Sequence, residues 1–171
     1  MHQIFETERL IIQPTTEVDA VFLFELMNTP KWIKNIGDRN VKSIEDAKVY
    51  VRNKITPQLE RLGYSSYTVI RQSDGVKLGV CGLYDRDGVD GIDIGFAFLP
   101  QFEKKGYAFE AAGELKNKAI TVFSINQISA ITTIDNIESQ RLLEKIGFGF
   151  VSLTKIPHDD EELLLYRFLS L

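Results

Sequence analysis

The 171-residue chain holds one cysteine, two histidines, and no strong excess of either charge. The single cysteine, Cys81, excludes an internal disulfide and any cysteine-rich metal site. It falls within an expected strand, where a small apolar side chain serves the core. No apolar run approaches the roughly 20 residues of a membrane span, which argues against a membrane partner. The opening MHQIFETERLII lacks a basic segment followed by an apolar block, so no secretory leader is expected and the cytoplasm is the expected compartment. The net charge of -4 argues against a nucleic-acid partner, which would call for a basic face, and is compatible with a cationic substrate such as an amine. A Walker-type loop needs Gly-Lys followed by Ser or Thr, and a dinucleotide fingerprint needs three spaced glycines; neither occurs. Repeats, low-complexity tracts and long linkers are missing too. His2 and His158 fall at an end and in a loop, and neither has an assigned role.

The remaining composition, 44% apolar and 26% charged, is that of a globular chain of this length, expected to form one domain over 1–171. Period-2 segments predict strands over 4–12, 64–71, 76–85, 91–99, 128–134, 148–156 and 162–169. Turns at Ser73-Asp74-Gly75 and Asp85-Arg86-Asp87-Gly88 join the second to the third and the third to the fourth. A helix is expected over 17–28, with Val18, Val21, Phe22 and Leu26 on one stripe. Ser43 with Glu45 and Asp46 opens a longer one, carrying Ala47, Val51, Ile55, Leu59 and Leu62 on one face, with a kink or break at Pro57. A third follows Gly106, with Ala108, Ala111, Ala112, Leu115, Ala119 and Val122 aligned, and a fourth covers 136–146. The stretch 28–43 reads as loop with a short helical turn. Hairpins followed by crossover helices imply an α/β (α+β) arrangement around one central mixed sheet.

The segment GIDIGFAFLPQFEKKGYA, residues 91–108, carries the chemistry. Alternation places Ile92, Ile94, Phe96 and Phe98 on a core face and Asp93, Gly95 and Ala97 on the other. Two near-absent side chains beside a carboxylate leave room for a ligand, or for a helix packed on small residues with Asp93 satisfied at a sheet edge. A strand feeding through Gly106 into a helix gathers unpaired N–H groups and the positive end of a helix dipole, which suits a phosphate. Lys104 and Lys105 add charge there, or are solvated surface. Asn136 is placed to cap the helix that follows it.

The order strand, Pro100, Lys-Lys-Gly-Tyr-Ala, amphipathic helix, strand and DNIESQRLLEKIGF (Asp135–Phe148) resembles the GNAT N-acetyltransferase superfamily, and within it the branch of ribosomal-protein N-terminal acetyltransferases. The opening TERLIIQP and the closing strand pair fit as well. The resemblance implies a GNAT-like acyl-CoA N-acyltransferase fold. Its twisted, mostly antiparallel sheet would have about seven strands, splayed between the fourth and fifth (91–99 and 128–134). It implies acetyl-CoA as co-substrate without a metal, an amine acceptor that is a small molecule or a protein N-terminus, and pairing into a homodimer. Backbone groups of Phe96, Ala97, Phe98 and Leu99 would hold the pantetheine arm and the thioester carbonyl. Lys104, Lys105, Gly106, Tyr107 and Ala108 would cradle the pyrophosphate. Asn136 would reach the pantetheine as well as cap its helix. Ser139, or a bound water, would protonate the departing thiolate, since Leu143 stands where many relatives have tyrosine. Asp93 would take the amine's proton or hold its ammonium. Trp32 and Arg39 would shape the acceptor pocket, Arg39 binding an acceptor carboxylate or phosphate or forming a structural salt bridge. Two residues depart from the family pattern, Glu103 for Gln or Arg and Lys104 for a frequent glycine. A carboxylate near pyrophosphate is unfavourable unless Glu103 points away or Lys104 and Lys105 offset it. These departures, with Leu143, also support an alternative, a catalytically weak acyl-CoA-binding sensor or interaction module of the same fold.

Overall fold

Apolar segments joined by short glycine turns pair with their sequence neighbours, and here they do so along most of one sheet. In the computed structural model, which describes residues 2–171, eight strands run in the order β1-β2-β3-β4-β5-β6-β8-β7. They are β1 (Phe5–Glu6), β2 (Leu10–Pro14), β3 (Ser66–Arg71), β4 (Lys77–Asp85), β5 (Ile92–Phe98), β6 (Gln127–Thr133), β7 (Gly149–Thr154) and β8 (Leu163–Leu169). All adjacent pairs are antiparallel except β5 with β6. The count exceeds the expected seven because the first apolar segment turns on itself. The Thr7 hydroxyl accepts the Leu10 N–H at 3.1 Å, which closes a tight turn between β1 and β2.

Helices cover both faces. On one, α5 (Tyr107–Thr121) and α6 (Ile137–Lys145) close a core that includes Leu10, Tyr67, Leu83, Ile94, Leu115 and Leu143. Cys81 lies inside it, and burial pushes its thiol up to about 12, so it is an inert core residue as expected. On the other face, α1 (Ala20–Met27), α2 (Pro30–Asn35) and α3 (Ile44–Tyr50) surround Leu26, Trp32, Ala47, Val51, Val80 and Leu99, and α4 (Thr56–Leu62) sends Leu62 to the edge of the first core. Ser43 caps α3 by accepting the Asp46 N–H at 3.0 Å. The interruption expected at Pro57 takes the form of a π-turn over Val51–Ile55, where the Thr56 N–H donates to the Val51 carbonyl five residues back. The wider turn lets the chain pass into α4 with Pro57 in its first turn, where a missing N–H is harmless. Three residues leave their expected stripes. Val18 sits in a 3₁₀ turn ahead of α1 and is 84% exposed, and Val21 and Val122 also face solvent.

β5 follows β4 over seven paired positions, from Ile92 opposite Asp85 to Phe98 opposite Gly79. Gly79 permits this closeness, since a Cβ there would lie 2.4 Å from the Ala97 carbonyl. With β6, β5 pairs at two positions only, Ile92 with Ile128 and Asp93 with Ser129. Beyond Asp93 the two central strands part.

Candidate functional site

The parting leaves a strand edge open in the middle of the sheet. The Leu99 N–H donates to the Leu78 carbonyl at 2.9 Å. Alternation along the ladder therefore turns the backbone groups of Gly95 and Ala97 toward β4, and those of Ile94, Phe96 and Phe98 toward the gap. An extended ligand with amide groups can pair there as a strand would. A cavity of about 1050 Å³ fills the gap and reaches both faces of the sheet. Asp93, Phe96, Ala97, Phe98, Lys104, Gly106, Tyr107, Ala108, Asn136, Ser139, Trp32 and Arg39 all line it, so the structure gathers residues spread over more than one hundred positions. Leu99 and Lys105 stand apart: Leu99 is buried in the second core, and the Lys105 carbonyl accepts from Arg9.

At one end of the cavity lies the turn into α5. After a 3₁₀ turn over Pro100–Phe102, Lys104 takes a left-handed φ of 59° and Gly106 one of 82°. The N–H groups of Lys104 to Phe109 have no acceptor among the described residues; three lie ahead of α5 and three in its first turn, and the helix runs for 15 residues. Six free donors gather around the positive end of the helix dipole, an arrangement that suits phosphate oxygens. Arg9 braces the turn. Its Nη1 donates to the Lys105 carbonyl at 3.0 Å, its Nε to Glu110 at 2.7 Å, and its guanidinium lies 4.4 Å from the Tyr107 ring centre. Burial works against ionisation of Glu110, but Thr7 and Arg9 hold its carboxyl below the usual range.

The left-handed φ at Lys104 explains why a glycine suits this place. That conformation costs an L-residue about 1–2 kcal/mol, partly offset here because glycine gains freedom in the unfolded chain. Urea unfolding should find Lys104→Gly at least as stable as the parent, and Lys104→Val less stable by about 1 kcal/mol.

At the fork itself sits Asp93, 1% exposed, with the Arg86 Nε 3.3 Å from each carboxylate oxygen. Burial raises its pKa, and the Arg86 guanidinium opposes the rise. The small residues beside it are not simply open space. The Tyr84 ring lies over them, so that a Cβ on Gly82 or Gly95 would come within 2.4 or 3.1 Å of it. Tyr84 is the cross-strand partner of Asp93, and burial keeps its phenol protonated. Trp32 packs in the second core, while Arg39 stands at the exposed rim and forms no ion pair among the described residues.

Across the gap, the Asn136 Oδ1 accepts the Ser139 N–H at 3.3 Å, which caps α6 and leaves the Asn136 amide N–H groups unpaired among the described residues. Ser139 is half-buried, and Leu143 is 1% exposed in the first core. The helix α2 is tied to this wall by Lys34 with Asp135 at 2.9 Å and by the Thr133 hydroxyl with Asn35 at 3.4 Å. Lys31 reaches both walls, 2.7 Å from Glu103 and 2.8 Å from Glu138. Glu103 thus points to a cation. Arg9, Lys31, Tyr84 and Arg86 were not singled out by the sequence pattern as site residues. Nor did Tyr84 carry a local signal: the Asp85–Gly88 turn alone would set it opposite Val89, and the longer loop over 86–91 is what brings it opposite Asp93.

Comparison with known proteins matches residues 9–149 to the acetyltransferase (GNAT) domain. The N-acetyltransferase YoaA of Bacillus subtilis is 26% identical over 149 residues, covering 86% of this chain and 84% of that protein. A GNAT-family acetyltransferase of Bacillus anthracis superposes with a TM-score of 0.80 at 25% identity, over 98% of each chain. The ribosomal L7/L12 α-N-protein acetyltransferase RimL, solved with coenzyme A, superposes with a TM-score of 0.83 over 98% of each chain; at 17% identity that likeness concerns the fold alone.

Proposed function

Because the chain belongs to the acetyltransferase (GNAT) family, we propose that it transfers the acetyl group of acetyl-CoA to a primary amine, by direct attack within a ternary complex. The observation that carries the reading is the fork after Asp93, with an open strand edge on β5 and six free N–H groups at the head of α5. These fit the two polar parts of the ligand, an amide-bearing arm and a diphosphate. When bound, acetyl-CoA supplies an activated thioester carbonyl.

The backbone groups of Phe96 and Phe98 orient the arm, and a free N–H on this edge steadies the negative charge that develops on the carbonyl oxygen. The turn from Lys104 to Phe109 holds the diphosphate. Trp32, Arg39 and Asp93 receive the amine from the side of α2. An alkylammonium must lose a proton before it attacks, and Asp93 takes that proton directly or through water. Ser139, or a water beside it, returns a proton to the leaving sulfur. Most of the rate enhancement comes from holding the two reactants together. The acceptor is a small amine or a protein N-terminus.

Thermal unfolding tests the first half of this reading. A ligand at about 100 times its Kd adds about 2.7 kcal/mol to the folded state, which at this size raises Tm by roughly 5–11 °C. Acetyl-CoA and CoA should give that shift and ATP should not; indifference to CoA overturns the reading. Thiol release over a panel of amines tests the second half. Binding without turnover on any of them would favour an acyl-CoA-binding module, for which the buried Leu143 speaks, since a core leucine donates no proton.

A further inference from the structure

We propose that Lys31 is a charge-masking residue of the diphosphate site: it neutralises Glu103, so that an anion can occupy the turn that Glu103 begins. The inference rests on the acetyl-CoA reading above. Glu103 immediately precedes the six free N–H groups of Lys104 to Phe109. Left bare, its carboxylate would repel the very anion that those donors and the helix dipole attract. No neighbour in sequence answers it. The answering cation comes from a residue 72 positions earlier, with its Nζ 2.7 Å from the Glu103 Oε2.

The placement of Lys31 is built rather than incidental. Thr29 caps α2 by accepting the Trp32 N–H at 3.3 Å, Trp32 is buried beneath, and Lys34 and Asn35 tie the far end of α2 to the β6–α6 wall. The same Nζ lies 2.8 Å from Glu138 on α6, which fixes the ammonium from a second side. Burial works against the charge on Lys31, but the two carboxylates hold its pKa above the usual lysine value. Lys31, through its hydrogen bond, and then Lys104 keep the Glu138 carboxyl low despite partial burial. Two cations and two carboxylates therefore meet at the mouth of the groove and cancel. Lys31 and Glu138 are solvent-accessible and Glu103 is partly buried, so the pairs add little to folding; their effect falls on charged ligands instead.

Calorimetry of CoA binding at low and high salt, with pantetheine followed by NMR titration as a phosphate-free probe, tests this. Across about 8 Å, an unmasked unit charge against a diphosphate changes affinity by roughly sixfold at the dielectric of bulk water, and by more where the protein excludes water. Lys31→Met should weaken CoA by that factor, and Glu103→Gln should bind CoA at least as tightly as the parent. The double variant should return to within about twofold of the parent. All three should bind pantetheine as the parent does, and the CoA effect should shrink at about 0.5 M salt. Equal weakening of CoA in both single variants, with no recovery in the double, would make the bridge a mechanical tie and overturn the inference. So would equal losses with pantetheine. A parent chain that binds no CoA overturns the acetyl-transfer reading and this inference with it, whereas binding indifferent to Lys31 overturns the inference alone.

Discussion

Replacing Asp93 with asparagine should lower kcat/KM for the amine by about 10²–10³-fold and leave CoA affinity within twofold. Asparagine keeps the shape and can still accept from the Arg86 Nε, but it takes no proton at neutral pH. Asp93 occupies the last position at which β5 and β6 pair, so it has a strand on either side, while beyond it β5 keeps β4 alone as a partner. Substitution there changes the chemistry with little effect on where the arm binds. The pH dependence carries a second sign. A base must be ionised, so activity is present above its pKa and falls as the pH drops through it. Burial raises that pKa, and the fall begins at a higher pH than an exposed carboxylate would give. The asparagine variant should lack this limb.

Stability moves the other way. Because the folded pKa of Asp93 lies above the unfolded one, its favourable contribution is present below the unfolded value and is lost as the pH rises through the folded value. Urea unfolding should show the variant gaining on the parent over that rise. Full activity in Asp93→Asn would remove the carboxylate from the mechanism, and loss of the CoA thermal shift would move it to the fold.

Gly106→Val should raise the Kd for CoA by tenfold or more. At a φ of 82°, a β-branched residue is strained by about 1–2 kcal/mol, and its Cβ would lie 3.2 Å from the Arg9 Nη2. Relief comes either by flipping the turn, which scatters the six N–H groups, or by displacing the arginine that braces it. Both spoil the anion cradle. Gly63→Val is the matched control: Gly63 ends α4 at a φ of 84° with nothing within 4 Å of the Cβ it would gain. The two variants should lose similar stability, about 2–8 °C in Tm, and only Gly106→Val should lose CoA. Equal CoA affinity in both would show that the turn holds no diphosphate.

Much of this site is legible along the chain because its parts are local. Period-2 alternation and glycine turns locate β3, β4 and β5, and the Ser43 and Asn136 caps locate two helix starts. The strand carrying Asp93 and the turn at Gly106 follow one another within 14 positions, so one segment displays both. What the sequence conceals is long-range. The pair Lys31–Glu103 spans 72 residues, Lys31–Glu138 spans 107, and Arg9–Glu110 spans 101, and an isolated charge looks the same whether solvated or paired. Tyr84 over Gly82 and Gly95 is hidden for another reason: small residues announce that something approaches closely, without saying whether it is a ligand or the chain's own ring. Exposed Val18, Val21 and Val122 show the limit of helical periodicity, which finds a stripe but not what packs on it.

Spacing of four outruns an α-helix. Each such step advances about 400°, so Ala47, Val51, Ile55 and Leu59 would drift by about 40° a step and about 120° in all. All four are nonetheless buried. The π-turn, winding more slowly per residue, takes up part of that drift and brings α4 back into phase with α3. Tyr50 and Ile55, at its two ends, both line the cavity. The angular offset stored in five residues of backbone thus sets how far apart those two side chains stand along the cavity wall.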